Sequence, residues 1–411
     1  MRVAVVAEWY PSPADPVLAV WAHRQALAAR AAGADVRVLA LRRPIPPLST
    51  ARAALRRDLR PLVDWARGMP STLRAWEHDG LAVDPVAYVS PPRPLSYGSW
   101  SHWMALPVAR ALERLRARWP FEVVHAHNVV PMGDAVARWL RRASGARPAY
   151  VVSTHGPDII SVHDLSPVAR RATRATFDAA DRVIANSRWA QRRCEEIAGR
   201  SLPTSVVHLG TDVPDAVPSR RARPTIVTVG HLVARKRHAV VLRALAALRP
   251  RLELDYVVIG DGPCRAELER LAGELGLHDH VRFLGQLEPE RALAEARSCH
   301  MFVMPGVEEP FGVAFIEAMA AGLPAIGARG EGGPEDIAAA GEGMLLVAPD
   351  DEVELAGAIE QVLRNGDRLA ELGAAARRTV ERHITWERCG EATLQAYRDA
   401  LQAVPAPASS R

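Results

Sequence analysis

Glu309-Pro-Phe311-Gly312-Val313-Ala-Phe-Ile-Glu317-Ala-Met-Ala-Ala-Gly322-Leu-Pro324 is the stretch whose reading decides the fold. The residues just before it, Cys-His-Met-Phe-Val-Met, read as a short buried strand ending at Pro305. After Gly312, apolar residues recur at helical spacing (Val313, Ile316, Met319, Ala320), and Gly322-Leu-Pro324 stops the helix. Glu309 therefore falls in the strand-to-helix loop and Glu317 in the first turns of the helix. Residues eight apart are separated by a little over two turns, so an early helix start puts both carboxylates on one side. The amides of Phe311, Gly312 and Val313 lie near the helix N-terminus, where unpaired N–H groups and the helix dipole favour an anion. Spacing alone leaves two readings open. One is an anion cradle flanked by two hydroxyl-accepting carboxylates, suited to a phosphorylated sugar. The other is a solvated acidic loop followed by one glutamate on a helix surface.

Working outward, the same strand–loop–helix rhythm runs through the chain. Residues 2–7 form a β-branched strand, Val20 to Ala32 a helix ending at Gly33, and Asp35 to Leu41 a second strand. This start implies a doubly wound parallel sheet. Residues 42–100 are rich in Pro and Arg and give only patches of helix and loop. Pro107 to Trp119 reads as an amphipathic helix, with Leu106, Leu112, Leu115 and Trp119 set against Arg110, Arg114 and Arg118. Two strands then deliver histidines at their ends: Phe121 to His127, with His125 and His127 on one side, and Ala149 to His155, followed by Gly156 and Asp158. No third ligand follows at metal spacing, which leaves His127 a structural or acceptor-side role. Val213 to Pro224 carries three prolines and no periodicity, and reads as an interdomain linker. A second β/α series begins with Thr225 to Gly230.

Composition bounds the rest. A chain of 411 residues with 48% apolar residues predicts a globular protein of about two domains. No stretch is long and apolar enough to span a bilayer, and the N-terminus does not read as a signal peptide. The four cysteines are scattered, which predicts reduced thiols in a cytoplasmic protein. Charge is uneven. Residues 1–210 hold 29 Arg against 17 acidic residues, whereas the remainder holds 23 basic and 30 acidic. Nine of the ten tryptophans also lie in the first 189 residues. A basic, Trp-rich first half is either ordinary surface and core or a face that makes peripheral contact with the inner face of a membrane or with a lipid-linked acceptor. Nothing in the pattern points to nucleic acid. Of the 52 basic residues only Lys236 is a lysine, in Gly230-His-Leu-Val-Ala-Arg235-Lys236, between a strand and a helix. A compact ammonium there suits a phosphate.

Glu-x7-Glu with Phe-Gly after the first Glu, followed by Glu-Ala-Met-Ala-x-Gly-x-Pro, resembles the retaining GT-B glycosyltransferases of family 4, also called glycosyltransferase group 1. The resemblance covers nearly the whole chain, most strongly residues 225–350. It implies two doubly wound, Rossmann-like α/β domains facing across a cleft: 1–213 on the acceptor side, a linker at 214–224, a donor domain at 225–380, a helix at 381–403 crossing back to the first domain, and a tail at 404–411. It implies a nucleotide diphosphate sugar as co-substrate, no metal and no other cofactor. Lys236, with Arg235, and the amides of Gly312 and Val313 would hold the diphosphate, and Glu317 the ribose. Glu309 would contact the donor sugar and, with His155 from the opposite domain, serve catalysis. Phe311, Gly332 and Gly333 would lie near the sugar, with His127 and Asp158 as acceptor-side candidates. The nucleobase would sit near Gln286 and Leu287. Two positions depart from the family pattern: Ala19, where a Gly is usual, and His231, where an Arg is usual. The base, the sugar, the acceptor and the linkage are not given by the sequence.

Two rival readings differ in class. Gly260-Asp-Gly262 after a strand begins a nicotinamide-cofactor fingerprint, but Arg265 stands where the third Gly belongs. The departures at Ala19 and His231 admit a non-catalytic binder of sugar nucleotides.

Overall fold

The computed structural model describes residues 1–404, apart from 14, 16–17, 47, 92–98, 144–145 and 163–165. The tail beyond Val404 lies outside the described residues. The chain divides into two compact units, the second holding His208–Arg388 with Ser187–Trp189, and the first holding the rest.

The first unit is built on eight strands: β1 (Arg2–Ala7), β2 (Asp35–Arg42), β3 (Trp76–His78), β4 (Leu81–Ala87), β5 (Val123–His127), β6 (Ala149–Ser153), β7 (Arg182–Ala185) and β8 (Thr204–Val206). Their order in the sheet is β3-β4-β2-β1-β5-β6-β7-β8, parallel throughout except for the β3–β4 hairpin. Val3 to Ala7 of β1 are fully buried, as a central parallel strand covered on both faces requires. The helix Val20–Ala31 follows β1 and packs back by its alanines.

The hairpin and β4 are what the sequence reading of 42–100 missed. Asp79 and Gly80 both have positive φ (47° and 75°), the requirement of a tight hairpin turn. Pro85 obscures β4, because proline cannot donate to a central ladder. β3 pairs with Leu81 to Val83, so among the described residues no strand pairs with that side of β4 at Pro85. Two helices, Leu48–Leu55 and Arg60–Thr72, precede the hairpin. A further correction concerns the amphipathic helix. It spans Trp100–Arg118 with Pro107 inside it, and its buried face is Trp100, Met104, Val108, Ala111, Leu112 and Leu115. Leu106, expected on that face, is 57% exposed.

The second unit is a six-stranded, all-parallel sheet: β9 (Thr225–Val229), β10 (Asp255–Ile259), β11 (Val281–Gly285), β12 (Met301–Met304), β13 (Ala325–Ala328) and β14 (Met344–Val347), in the order β11-β10-β9-β12-β13-β14. Apolar clusters cover both faces. One is centred on Val241, Leu245, Tyr256 and Ile359, the other on Phe302, Phe315, Met319 and Ile337. At the carboxyl edge the backbone packs on itself: a Cβ on Gly260 would lie 2.0 Å from the Gly230 carbonyl oxygen, and one on Gly262 would lie 2.5 Å from that of Leu232. The Gly-x-Gly string thus serves close packing of two strand-end loops. Segment 214–224 has no regular structure but is tied to the second unit. Arg220 donates to the carbonyls of Arg297, Ala321 and Gly322, and Arg377 donates to that of Pro214. Among the described residues no helix is long and apolar enough to cross a membrane.

Candidate functional site

In the second unit β9 and β12 are neighbours, so the loops leaving their carboxyl ends run side by side. The β9 loop makes a short helical turn, Ala234–Lys236, closed by Arg237 in the left-handed region. The β12 loop carries Gly306 to Gly312. Val307 donates to the Arg235 carbonyl at 2.8 Å. A Cβ on Gly306 would come within 3.1 Å of that same oxygen, so the two loops are fastened at the backbone. This contact brings Lys236 to Glu309. Both are buried, at 9% and 6% exposure. The Lys236 ammonium donates to Glu309 Oε2 and lies 3.5 Å from Met304 Sδ. Arg235 Nη1 stands 3.7 Å from the same carboxylate oxygen and donates to the Glu308 carbonyl at 3.1 Å. Two cations therefore converge on one carboxylate.

Gly312 caps the helix Val313–Ala320 at φ 79°, and a Cβ there would lie 2.6 Å from the Phe315 ring. Only glycine turns the chain into the helix at this point. Among the described residues the amides of Gly312 and Val313 donate to no protein acceptor. The start at Val313 corrects the expectation of a shared helical face. Glu309 lies ahead of the helix, and its surroundings differ from those of Glu317. The Glu317 carboxyl is pushed up to about 7 by burial, with Asp212 adding to the shift and Arg297 opposing it. Glu309 faces cations, whereas Glu317 sits in a desolvated spot where its neutral form competes.

Gly332 and Gly333 open the helix Gly332–Ala340 against the same loop. Gly333 donates to the Glu309 carbonyl at 3.1 Å, and a Cβ on it would lie 1.7 Å from the Phe311 carbonyl oxygen. Phe311 is buried, its ring stacked on His208 at 5.4 Å. His208 in turn pairs with Asp336 at 3.0 Å. Glu331 accepts the Glu309 amide at 3.1 Å. Burial raises its pKa, opposed by hydrogen bonds from the Glu309 and Glu308 amides. Sequence reasoning assigned no role to Glu331, His208 or Asp336. Glu331 stands inside the glycine-rich loop of which only Gly332 and Gly333 were singled out. His231 is exposed, and its carbonyl accepts from Val233. Gln286 is exposed and Leu287 packs on the apolar cluster beneath.

In the first unit the histidines gather at the carboxyl ends of the adjacent strands β5 and β6. His127 Nδ1 and His155 Nε2 share a hydrogen bond at 2.9 Å, with their rings nearly parallel. Behind them His125 bonds Ser153 at 2.7 Å and Tyr397 at 2.8 Å. Burial lowers all three imidazole pKa values, that of His155 to about 4, so the group is neutral at physiological pH. Among the described residues, His155 Nδ1 and His127 Nε2 are buried and have no hydrogen-bond partner. They are the atoms through which this group can meet a ligand. Asp158 is spent on structure: it accepts from Thr154 Oγ1, the amides of His155 and Gly156, and the Val129 amide. It holds the His155 loop in place. Ala19 caps its helix in the left-handed region at φ 51°, the conformation that makes glycine usual there. Among the described residues, His23, His78 and Asp79 bring three ligand-type atoms within 4.8 Å of one another. The first of these is engaged by Tyr10 and Asp79 in hydrogen bonds.

Comparison with known proteins adds to this geometry. Residues 212–379 match the family described as Glycosyl transferases group 1, and residues 18–214 match Glycosyltransferase Family 4. The chain is 30% identical over 319 residues to a GDP-mannose-dependent alpha-(1-6)-phosphatidylinositol monomannoside mannosyltransferase of Mycolicibacterium smegmatis, covering 72% of this chain and 82% of that protein. It is 31% identical over 309 residues to a 2-deoxystreptamine glucosyltransferase of Streptomyces kanamyceticus, covering 66% and 76% respectively. Among solved structures, a sucrose-phosphate synthase from Thermosynechococcus elongatus superposes with a TM-score of 0.72 at 20% identity, over 98% of this chain and all of that one.

Proposed function

The chain belongs to the family 4, group 1 glycosyltransferases, and from that premise we propose that it moves a sugar from a nucleotide diphosphate sugar to a hydroxyl of a glycolipid or small-molecule acceptor, with retention at the anomeric carbon. One observation carries the donor assignment: the convergence of Lys236 and Arg235 on Glu309 beside the free amides of Gly312 and Val313. The diphosphate takes the two cations and the helix N-terminus. Glu309, released from part of its pairing, faces the sugar and stabilises positive charge as the anomeric C–O bond breaks. That bond's electron pair leaves on the diphosphate, where Lys236 and Arg235 disperse it. The acceptor oxygen bonds the anomeric carbon on the same face, and its proton passes to a phosphate oxygen of the leaving group. Glu317 accepts from ribose hydroxyls in its ionised form. In the first unit, the open ring nitrogen of His155 bonds a sugar or acceptor hydroxyl, and His127 fixes its tautomer.

Relatives that use GDP-mannose and that glycosylate phosphatidylinositol mannoside or 2-deoxystreptamine support this substrate class. The test is a thermal-shift panel of nucleoside diphosphates and their sugars on the wild type and on Lys236→Ala. A ligand at ~100 times its dissociation constant stabilises by about 2.7 kcal/mol. A shift with one base, absent from the variant, is expected. A shift that survives unchanged in the variant would remove Lys236 from the site and the reading with it.

A further inference from the structure

In the first unit the helix Val20–Ala31 meets the tip of the β3–β4 hairpin, a contact that the reaction above does not use. β3 and β4 pair His78 with Leu81, so Asp79 and Gly80 form a two-residue turn, with φ positive at both. Arg30 donates to the Asp79 carbonyl at 2.8 Å. His23 stands seven residues earlier on the same helix face, and its Nε2 lies 2.9 Å from Asp79 Oδ2. The hairpin tip is thus held at two points on one helix. His78 is carried with it, and its ring lies 4.3 Å from that of His23, centroid to centroid. Among the described residues, His23, His78 and Asp79 are the only grouping that brings three metal-ligating atoms within 4.8 Å of one another.

The three side chains are committed to different degrees. His23 is buried, and the buried Tyr10 hydroxyl meets its Nδ1 at 2.7 Å. A phenol oxygen accepts as well as donates, so this bond can hold the tautomer with its proton on Nδ1 and the Nε2 lone pair turned to the hairpin. The Asp79 side chain is 63% exposed and free to swing. His78 is half-buried, and among the described residues its imidazole makes no hydrogen bond. An ordinary His23–Asp79 hydrogen bond accounts for two of the three groups. It leaves the third, an imidazole packed on the first, without a polar partner in the protein. Bonds of about 2.0–2.2 Å to zinc at a tetrahedral angle set ligand atoms about 3.4 Å apart. The 2.9 Å contact has to open slightly and the wider ones to close, by ~1.4 Å at most. Turning the Asp79 and His78 side chains supplies movements of that size.

We propose that His23 Nε2, the His78 imidazole and an Asp79 carboxylate oxygen bind a divalent transition cation of the zinc type, which staples the β3–β4 hairpin to the helix Val20–Ala31. Two nitrogens and one oxygen suit zinc, whereas magnesium and calcium take oxygen ligands. Water fills the fourth position. Three ligands, with the Arg30 guanidinium close by, set the affinity at roughly micromolar, below that of a closed four-ligand site. The cation is structural and takes no part in the sugar transfer proposed above.

The experiment titrates Zn²⁺ into the full chain, untagged and first stripped with a chelator, in competition with a metal indicator. One equivalent binds, and at ~100 times its dissociation constant it raises the unfolding temperature by about 5 °C. His78→Ala and Asp79→Asn each weaken binding by about ten-fold or more and remove most of that rise. His278→Ala, in the exposed His278–Asp279 pair of the second unit, changes neither. Co²⁺ in place of Zn²⁺ gives a visible absorption band of four-coordinate intensity. His78→Cys keeps the site and adds a thiolate-to-cobalt charge-transfer band, which only a ligand at position 78 produces. No binding by the wild type, unchanged binding in both hairpin variants, loss of binding in His278→Ala, or displacement of zinc by millimolar Mg²⁺ overturns the proposal. Where His78→Ala and Asp79→Asn unfold without metal, His78→Cys decides: the charge-transfer band upholds the site and its absence overturns it.

Discussion

The two units hold their polar groups in opposite ways. At the carboxyl edge of the second sheet, charges are paired: the buried Lys236 and the more exposed Arg235 on the buried Glu309, with Glu331 closing the loop from behind. At the carboxyl edge of the first sheet stand three buried, neutral imidazoles: His127 bonds His155, and His125 bonds Ser153 and Tyr397, while the buried Asp158 is taken up by the loop's own hydroxyl and amides. On the function proposed above, the difference follows from what each edge would meet. A diphosphate carries charge, so a site for it would carry opposite charge and protect it when empty. A hydroxyl is neutral, and a group that bonds it works best without a charge that water would claim.

The comparison breaks most easily at Lys236. Lys236→Ala removes the buried cation and leaves Glu309 with only the longer contact to Arg235. We expect kcat/KM to fall by ~10³, about 4 kcal/mol, as for loss of a preorganised group at developing charge. Lys236→Arg recovers little of it, because the pocket beside Met304 fits a compact ammonium. A fall of less than ten-fold would mean that the paired charges are structural. In the first unit His155→Ala should cost ~10² in kcat, with nucleotide binding retained. If donor affinity falls as far as kcat does, His155 holds the donor instead of the reacting hydroxyl.

Glu317 tests the charged side through pH. Its folded-state pKa, about 7, lies above the ordinary carboxyl value. The stability that this group contributes is thus fully present below about pH 4 and is lost as pH rises to 7, because the unfolded chain ionises first. Glu317→Gln should flatten the pH dependence of the second unit's unfolding between pH 5 and 8. At pH 8 it should be more stable than the wild type, by about 2 kcal/mol once solvent screening is allowed for. The same ionisation makes donor KM fall as pH rises through 7 in the wild type and not in the variant. Parallel stability curves for the two proteins would place Glu317 in water.

These contrasts also mark how far the sequence could be read. The second unit's site is written in contiguous strings, because neighbouring strands hand short loops to one edge. Lys236, Glu309, Gly312 and Gly333 were each visible where their own loop stands. Glu331 and His208 were not, because a main-chain acceptor and a stacking partner leave no signature of residue type. In the first unit the histidines were visible as strand ends, but the bond between His127 and His155 was not, since it depends on the β5–β6 register. The β3–β4 hairpin was illegible for a different reason. Pro85 hides a strand that tolerates it only because β3 is short, and the tryptophans there follow no period.

Ala19 is a smaller test of the same point. The sequence marked it as a departure, and the structure gives it the left-handed conformation that a glycine would adopt without strain. Ala19→Gly should stabilise the first unit by about 1 kcal/mol, measured as a rise in denaturant midpoint. No change would mean that the helix start relaxes to suit the alanine.

The smallest effect belongs to Leu106. Grouped with Leu112 and Leu115 by composition, it reads as core. The helix begins at Trp100, though, and six residues at 100° each carry Leu106 well away from the face that Leu112 occupies. Leu112 is fully buried while Leu106 is 57% exposed. Leu106→Gln should therefore shift stability by less than about 0.5 kcal/mol, while Leu112→Ala costs about 2–5 kcal/mol. A large loss from Leu106→Gln would show that this face is covered in solution. It would move the exposed leucine from the category of tolerated surface to that of an interface on the basic, tryptophan-rich unit.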